Sequence, residues 1–248
     1  MIRFVGVSKS FGPKKVLAGL DLDVRTGETM AIIGQSGSGK SVLLKLLVGI
    51  LSLDRGEIFV DGTEVTRLRG EERRAMSCRF GMLFQGAALF DSLTVGENVA
   101  FGLERHTDMS PEEIRQVVAE SLARVGLQGI ERLMPHQLSG GMKKRVGLAR
   151  AIAYRPEIVL YDEPSTGIDP IRADAINELI LVLQKEMGVT SLVITHDMVS
   201  AYKVANRIAL LYEGRIVALG TPDEVRNSPD GVVQQFIHGR AEGPIASW

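Results

Sequence analysis

One eight-residue stretch near the start of the chain constrains the fold more than any other feature. It reads Gly34-Gln35-Ser36-Gly37-Ser38-Gly39-Lys40-Ser41. It fits the pattern G-x-x-x-x-G-K-[ST], and it lies between an apolar run, 29–33, and a run of helix formers, 42–47. A strand, a glycine-rich loop and a helix in this order predict a phosphate-binding loop (P-loop). The glycines let backbone N–H groups turn inward, and the helix N-terminus adds partial positive charge.

The last two residues of this loop have predicted roles in binding ATP. We expect Lys40 to reach the β- and γ-phosphates, and the Ser41 hydroxyl to bind Mg²⁺. The alternative is a glycine-rich turn with a chance lysine, and the fit of both flanking segments counts against it.

The composition is typical of a globular protein with a substantial core. Of the 248 residues 45% are hydrophobic, and the formal net charge of -1 argues against nucleic-acid binding. The basic clusters 67–74 and 143–145 are short, and we predict that both are solvated helix faces. Cys78 is the one cysteine in the sequence. A single cysteine excludes an intrachain disulfide and indicates a reducing compartment. We interpret Cys78 as a packing residue.

The sequence gives no sign of a membrane span or a targeting segment. It has no apolar run of about 18 residues, and the first residues show neither a signal-peptide nor a transit-peptide pattern. If the protein works at a membrane, we expect another subunit to cross it.

The pattern of apolar residues predicts an α/β protein in which a helical stretch interrupts the strands. The predicted strands are 2–7, 16–24, 29–33, 55–62, 79–84, 157–161, 191–195, 207–212 and 215–219. We also predict a turn at 9–13, a hairpin formed by the last two strands, and an irregular tail from Gly239 to Trp248. From Phe90 to Ile152 we predict only helices and loops, with capping boxes at Thr94 and Ser110.

These elements predict a RecA-like P-loop NTPase core with an N-terminal antiparallel β subdomain and an inserted helical subdomain. The chain is then a single domain, 1–248. We assign 1–89 and 157–220 to the core with its β subdomain, 90–156 to the helical subdomain, and 221–248 to C-terminal helices and a tail.

Two adjacent carboxylates follow a predicted buried strand. A carboxylate in this position beside a P-loop can hold Mg²⁺, which predicts that role for Asp162. The neighbouring Glu163 is then placed to polarise an attacking water. The alternative is two acidic residues at an ordinary strand end.

A third motif, Leu138-Ser139-Gly140-Gly141-Met142, opens a predicted helix. Ser139 is a plausible N-cap, and the two glycines expose backbone N–H groups. Ser-Gly-Gly alone is common in turns, so its meaning depends on the other motifs.

Taken together, these motifs resemble those of the nucleotide-binding subunit of ATP-binding cassette (ABC) transporters, over nearly the whole chain. The resemblance implies a homodimer that binds ATP and Mg²⁺ at its interface. The segment 138–142 matches the signature loop, which binds the γ-phosphate of the ATP held by the opposite subunit. Here Met142 replaces the usual glutamine, and activity is expected to survive.

The resemblance also implies roles for single residues. Phe11 stands where an aromatic ring stacks on adenine, and it replaces the commoner tyrosine. Gln85 matches the Q-loop glutamine, which meets Mg²⁺. Asp162 and Glu163 match the Walker B aspartate and the catalytic base.

Two further positions match motifs that contact the nucleotide. Asp169 belongs to the D-loop, 166–169, which lies across the dimer. His196 matches the switch histidine, which contacts the γ-phosphate.

Three stretches indicate a narrower resemblance, to the ATPases of Mla-type and Mce-associated lipid transporters. They are 83–95, the signature loop with Met142, and the ending 236–244. This resemblance implies lipid transport, with phospholipid as the expected cargo, through an MlaE-like integral-membrane permease. It also implies an Mce-domain partner and a location on the cytoplasmic face of the inner membrane. ATPases of the Mla type can have a longer C-terminal tail.

Three alternative functions to lipid transport make different demands on the sequence. An ATPase of a small-solute importer or exporter would use the same catalytic residues. A soluble ABC-type ATPase of DNA repair would carry a long coiled coil between Ser41 and Asp162, and one of translation would carry two cassettes. A P-loop kinase would not explain the signature loop or His196.

Overall fold

The computed structural model describes residues 1–245. The N-terminal part contains β1 (Ile2–Phe11), β2 (Lys14–Val24), β3 (Thr29–Ile33), α1 (Lys40–Leu47), β4 (Arg55–Val60) and β5 (Thr63–Glu64). The middle contains α2 (Gly70–Ser77), β6 (Phe80–Leu83), α3 (Val95–Ala100), α4 (Leu103–His106), α5 (Pro111–Arg124) and α6 (Gly140–Ile152). The last part contains β7 (Ile158–Asp162), α7 (Pro170–Met187), β8 (Thr190–Ile194), α8 (Met198–Val204), β9 (Arg207–Tyr212), β10 (Arg215–Gly220), α9 (Pro222–Arg226) and α10 (Gly231–His238).

The first of two compact units comprises, within the described residues, 1–74 and 190–245. Its N-terminal sheet has the order β2-β1-β4-β5, and every pairing in it is antiparallel. Leu20, Leu22 and Val24 alternate with exposed residues on β2 and are all buried. The predicted antiparallel β subdomain is confirmed.

The first hairpin is tighter than the sequence predicts. The predicted turn covers 9–13, whereas β1 continues to Phe11, which pairs with Lys14. Only Gly12-Pro13 forms the turn. The prediction is wrong for the first three residues, because ladder pairing and a backbone hydrogen bond to the Asp54 carboxylate (2.6 Å) keep them extended.

The other strands of the first unit have the order β10-β9-β3-β8. β3 is parallel to β8 and to β9, whereas β9 and β10 form the predicted antiparallel hairpin. All five residues of β3 are buried, so that side chains such as Met30 and Ile32 each stabilise the fold by about 1.5–3 kcal/mol. α8, α9 and α10 supply Ala201, Val225 and Val233 to the same core.

The second compact unit comprises residues 75–189. β6 and β7 form a parallel pair, α6 packs against β6, and α3, α5 and α6 pack against one another. No strand lies between Phe90 and Ile152, as predicted. Both predicted capping boxes are present, and their hydrogen bonds lower the pKa of Glu97 and of Glu113.

Two predictions about side-chain environment are wrong. Cys78, interpreted as a packing residue, is exposed, because it follows the end of α2 in a surface connection. The cluster 143–145 is not a solvated face, since α6 directs Lys144 inward and leaves it only 5% exposed. The other basic cluster, 67–74, is largely exposed, as predicted.

The chain after α10 is irregular up to Ile245, as predicted. The Gln235 side chain holds it there: it accepts a hydrogen bond from Ile245 N (2.6 Å) and donates one to Ile245 O (3.0 Å). The rest of the predicted tail, 246–248, lies outside the described residues. Within 1–245, every helix is too short or too polar to cross a membrane.

Candidate active site

The P-loop, Gly34–Ser41, connects the buried end of β3 to the start of α1. Gly37 and Gly39 have φ angles of 76° and 105°, a region that favours glycine. A Cβ on Gly39 would lie 2.7 Å from Val16 Cγ1, so any other residue would require Val16 to shift. The helix has Gly39 as its N-cap and no side-chain cap. A serine or aspartate at this position would supply a capping bond to the first turn, and glycine has no side chain to do so.

The side chains of the loop fit a phosphate ligand. Lys40 is buried, and its Nζ donates to Gly34 O (2.8 Å) and Gln35 O (2.9 Å). Ser38 Oγ is buried without a hydrogen-bond partner in the described part of the chain. An unsatisfied buried hydroxyl is costly, and a phosphate oxygen would satisfy it.

His196 lies at the same edge of the first unit as the P-loop. β3 and β8 are parallel, with Ile32 paired to Ile194, and Thr195 N donates to Ile32 O (3.2 Å). The two segments that follow these strands therefore emerge side by side. The His196 side chain is exposed, whereas Asp197 caps α8.

Phe11 lies at the end of β1, and 46% of its surface is exposed. The Lys9 ammonium lies 5.5 Å from the centre of its ring. An exposed ring is available for stacking, and its contact with adenine stays a prediction.

In the second unit, the parallel pair β6–β7 brings three further predicted residues to one edge. Leu83 is paired with Tyr161. Gln85 therefore emerges beside Asp162 and Glu163, because parallel strands end at the same edge. Both carboxylate residues are buried, whereas Gln85 is exposed.

The backbone of Glu163 is strained. Its φ is 50°, in the left-handed region that non-glycine residues rarely adopt. Thr166 Oγ1 donates to Glu163 Oε2 (2.9 Å), which orients the carboxylate. Residues held in such conformations occur preferentially at active sites.

The residue types predicted to bind the metal are suited to Mg²⁺. Ser41, Gln85 and Asp162 offer a hydroxyl, an amide oxygen and a carboxylate, and Mg²⁺ prefers oxygen ligands of this kind. Their common role stays a prediction.

The signature loop ends at the N-terminus of α6. Ser139 is the N-cap of this helix, as predicted, and accepts a hydrogen bond from Met142 N (3.3 Å). Ser139 and Gly140 are exposed. In the D-loop, Asp169 caps α7 and forms an ion pair with Arg172 (3.2 Å). Its predicted contact with a nucleotide is therefore additional to a structural role.

Lys144 is a residue of this site that the sequence reasoning missed. Its Nζ donates to Gln85 O and to Glu163 O, both at 3.0 Å. Burial lowers the pKa of Lys144, and the neighbouring charges of Glu163 and Asp162 partly offset that effect. The helical period could have indicated the burial of Lys144, because Lys144 and Leu148 are four residues apart and lie on the same buried face of α6.

Asn98 was also missed. It is fully buried in α3, and its amide bonds to the backbone of Phe90, Leu93 and Thr94. It therefore fixes the far end of the connection that begins at Gln85. A single asparagine in an apolar helical pattern gives no sign of this role.

Comparison with known proteins identifies the family. The ABC transporter family model matches residues 17–166. The chain is 40% identical, over 98% of its length and 70% of the relative, to a probable ribonucleotide transport ATP-binding protein, mkl, of Mycobacterium leprae. It is 41% identical, over 94% of its length and 89% of the relative, to the intermembrane phospholipid transport system ATP-binding protein MlaF of Haemophilus influenzae.

A solved structure agrees with this result. A dimeric ATP-binding cassette, in a post-hydrolysis state bound to ADP and Pi, superimposes with a TM-score of 0.82 and 31% identity. The match covers 90% of this chain and 99% of that one. The α/β cassette fold predicted from the motifs is thereby confirmed, and the chain belongs to the ABC transporter family, as one of its ATPase subunits.

Proposed function

We propose that this chain hydrolyses ATP to power the movement of phospholipid, or a related lipid, through a separate membrane permease. The observation that supports the lipid assignment is the similarity to MlaF, which extends over 94% of this chain and 89% of that relative. The chain's own residues support the ATPase chemistry, as follows.

The P-loop binds the phosphates. The Lys40 ammonium exchanges its two carbonyl partners for β- and γ-phosphate oxygens, and the N-terminus of α1 adds donors. Ser41, Gln85 and Asp162 would hold Mg²⁺, which neutralises charge on the phosphate oxygens when bound. Phe11 stacks on the adenine ring.

Glu163 acts on the attacking water. Its carboxylate orients the water in line with the γ-phosphate and accepts its proton. The bond from Thr166 and the strained backbone hold the carboxylate in one orientation. His196 contacts the γ-phosphate and orients it.

The signature loop binds the ATP of a second copy of the chain. Ser139 and Gly140 are exposed at the N-terminus of α6, which suits a phosphate held by a partner. The two copies close when ATP is bound, because these contacts require the γ-phosphate. Hydrolysis removes the contacts and the dimer opens. Asp169 lies across the same interface.

The helical subdomain, 90–156, transmits this motion to the permease. Its part nearest Gln85 has an exposed aromatic side chain, Phe90, whose ring lies 4.4 Å from that of Phe101. Asn98 fixes the backbone of Phe90, so the exposed ring forms a rigid apolar surface. We propose that this surface contacts the cytoplasmic part of the permease.

The proposed assembly is peripheral on the cytoplasmic face of the inner membrane. It comprises two copies of this chain, an integral-membrane permease and an Mce-domain lipid-binding protein. The rival function is transport of a small solute. The name of the mkl relative, a probable ribonucleotide transport protein, favours it.

Affinity purification tests the proposal. The tagged chain is isolated from native membranes solubilised in detergent, and the bound proteins and lipids are identified by mass spectrometry. A polytopic permease with an Mce-domain protein and phospholipid is expected. A permease with a solute-binding protein would overturn the lipid assignment, and recovery of no membrane protein would overturn the transport assignment.

Two variants make the purification specific. Phe90→Glu places a charge on the proposed permease surface and is expected to abolish recovery of the permease. Val182→Glu is the matched control, because Val182 on α7 is as exposed as Phe90, at 41% against 42%. Equal loss in both variants would contradict the surface assignment.

A further inference from the structure

Helix α6 binds the backbone of the segment that follows β6. Lys144 Nζ donates to Gln85 O (3.0 Å). Six residues later, Arg150 donates to the carbonyl oxygens of Ala87 and Ala88, both at 2.7 Å. Three carbonyl groups of the segment 85–88 are thus held by two cations of one helix.

The packing between helix and segment is close. At Gly147, which lies between the two cations, a Cβ would come within 3.2 Å of the Ala87 side chain. Ala87 and Ala88 have φ angles of 61° and 47°, which are unfavourable for alanine. The hydrogen bonds from α6 compensate for this unfavourable backbone.

Lys144 differs from Arg150 in its second partner. Its Nζ also donates to Glu163 O (3.0 Å), and only 5% of the residue is exposed. It therefore joins two segments that contain predicted catalytic residues, one after β6 and one after β7. Both segments contain a non-glycine residue with a positive φ angle, Ala87 in the first and Glu163 in the second.

The same helix begins at the signature loop. Ser139 caps α6 five residues before Lys144, which is about 7.5 Å along a helix axis. A helix moves as a rigid element over this distance. A displacement of the N-terminus of α6 therefore reaches the Lys144 side chain.

We propose that Lys144 is a positioning residue that couples the signature loop of a chain to the Gln85 and Glu163 of the same chain. In the dimer, the signature loop contacts one ATP while Gln85 and Glu163 act on the other. Through Lys144, a change at one nucleotide site therefore alters the positions of Gln85 and Glu163 at the other site. The inference rests on the proposed ATPase function and adds a link between its two sites.

Its contacts assign Lys144 a positioning role and not a catalytic one. The ammonium donates to two backbone carbonyl oxygens, and neither is a reacting atom. Without these bonds, the carbonyl groups of Gln85 and Glu163 would each lose a donor from α6, and the backbone that carries the two side chains would be held less firmly. A misplacement of about 1 Å is enough to slow a reaction by about 10²-fold.

The test compares Lys144→Met with the wild-type chain. The methionine fills the space and removes both donors. We expect kcat to fall by about tenfold or more, with the Kd for ATP, measured with a fluorescent analogue, unchanged within about twofold. We also expect the ATP-bound dimer to accumulate during turnover, measured by light scattering, because closure is intact and hydrolysis is slow.

Three further variants separate the explanations. Lys143→Met removes a charge from the adjacent position and is expected to keep kcat within about twofold. Arg150→Met removes the donors to Ala87 and Ala88 but leaves Gln85 and Glu163 bonded to Lys144, so its effect is expected to be smaller than that of Lys144→Met. Lys144→Gln keeps an amide donor that is one bond shorter, so kcat is expected to fall by about threefold.

Several outcomes would overturn the inference. One is a folded Lys144→Met variant with kcat within about twofold of wild type. Another is a folded variant that no longer forms the ATP-bound dimer, which is the mark of a merely structural role. If Lys144→Met does not fold, Lys144→Gln decides, and a wild-type kcat in it would contradict the coupling. A wild-type chain without ATPase activity would overturn the proposed function as well.

Discussion

Two loops of this molecule, each proposed to bind phosphate at a helix N-terminus, are built differently. The P-loop has a glycine at the N-cap of α1 and a buried lysine, Lys40, at its end. The signature loop has a serine, Ser139, whose side chain caps α6, and both Ser139 and Gly140 are exposed. In the proposed function both loops use the partial positive charge of a helix terminus, but only the P-loop adds a buried lysine.

The difference teaches how one chain can hold ATP and still require a partner. A glycine-lined loop with a buried lysine has enough donors to bind phosphate alone. An exposed helix N-terminus with a serine contributes only a few donors, and it is effective against a phosphate that another loop already holds. The P-loop should therefore set the affinity for ATP, and the signature loop should set the affinity of the dimer.

The largest expected effect is on kcat, in a variant that leaves both loops intact and changes only the proposed catalytic base. Glu163→Gln keeps the shape of the side chain but cannot accept a proton, so kcat should fall by about 10²–10⁴-fold. Both loops remain intact, so ATP binding should persist and the closed dimer should accumulate. Phosphate release and light scattering with ATP and Mg²⁺ measure the two effects. Hydrolysis near the wild-type rate would show that Glu163 is not the base.

Lys40→Ala should weaken the P-loop alone. The variant removes a charge-assisted contact to phosphate, so the Kd for ATP should rise by about 30-fold or more. Titration of the variant with ATP measures this. An unchanged Kd would contradict the assignment of the P-loop.

Ser139→Arg should weaken the signature loop alone. The long side chain fills the space before α6, so ATP-dependent dimerisation should weaken by about tenfold, while ATP binding to the single chain stays normal. Ser139→Ala is the matched control, because it removes the cap without adding bulk. Normal dimerisation of the arginine variant would contradict a site shared between two chains.

Much of this comparison was predictable from sequence, because both loops are local. A strand, a loop and a helix within about 20 residues determine the P-loop, and Ser139 was identified as a cap from the residues beside it. The predicted strand 29–33 and the predicted capping boxes are present at the same residues.

The contacts that join distant segments were not predictable in this way. Lys144 bonds to residues 59 and 19 positions away, and a basic residue beside other basic residues suggests a solvated surface. The positive φ of Glu163 depends on its surroundings and not on its residue type. Long-range hydrogen bonds decide both, and no local pattern encodes them.

The smallest effect is expected for a substitution outside both loops, which should change stability without changing ATP binding or dimerisation. The bonds from Ser110 lower the pKa of Glu113. A carboxyl group with a lowered pKa contributes stability above its unfolded pKa, and that contribution is lost as pH falls through the folded pKa. Glu113→Ala should therefore lower Tm slightly, by about 2 °C at neutral pH, and less in acid.

Thermal unfolding of wild type and Glu113→Ala at several pH values checks this. ATP affinity and dimerisation should be unchanged in the variant, because Glu113 caps α5 and belongs to neither loop. A difference in Tm that grows in acid would contradict the assigned role of the capping box.

The central claim is that ATP is bound between the P-loop of one chain and the signature loop of the other. Mixing two defective chains tests it most directly. Lys40→Ala keeps its signature loop, and Ser139→Arg keeps its P-loop, so a mixed dimer contains one complete site. With Glu163→Gln added to both chains, analytical ultracentrifugation should detect an ATP-dependent dimer in the mixture that is reduced for each chain alone. No gain of dimer on mixing would show that the two loops do not act across the interface, and would contradict the account.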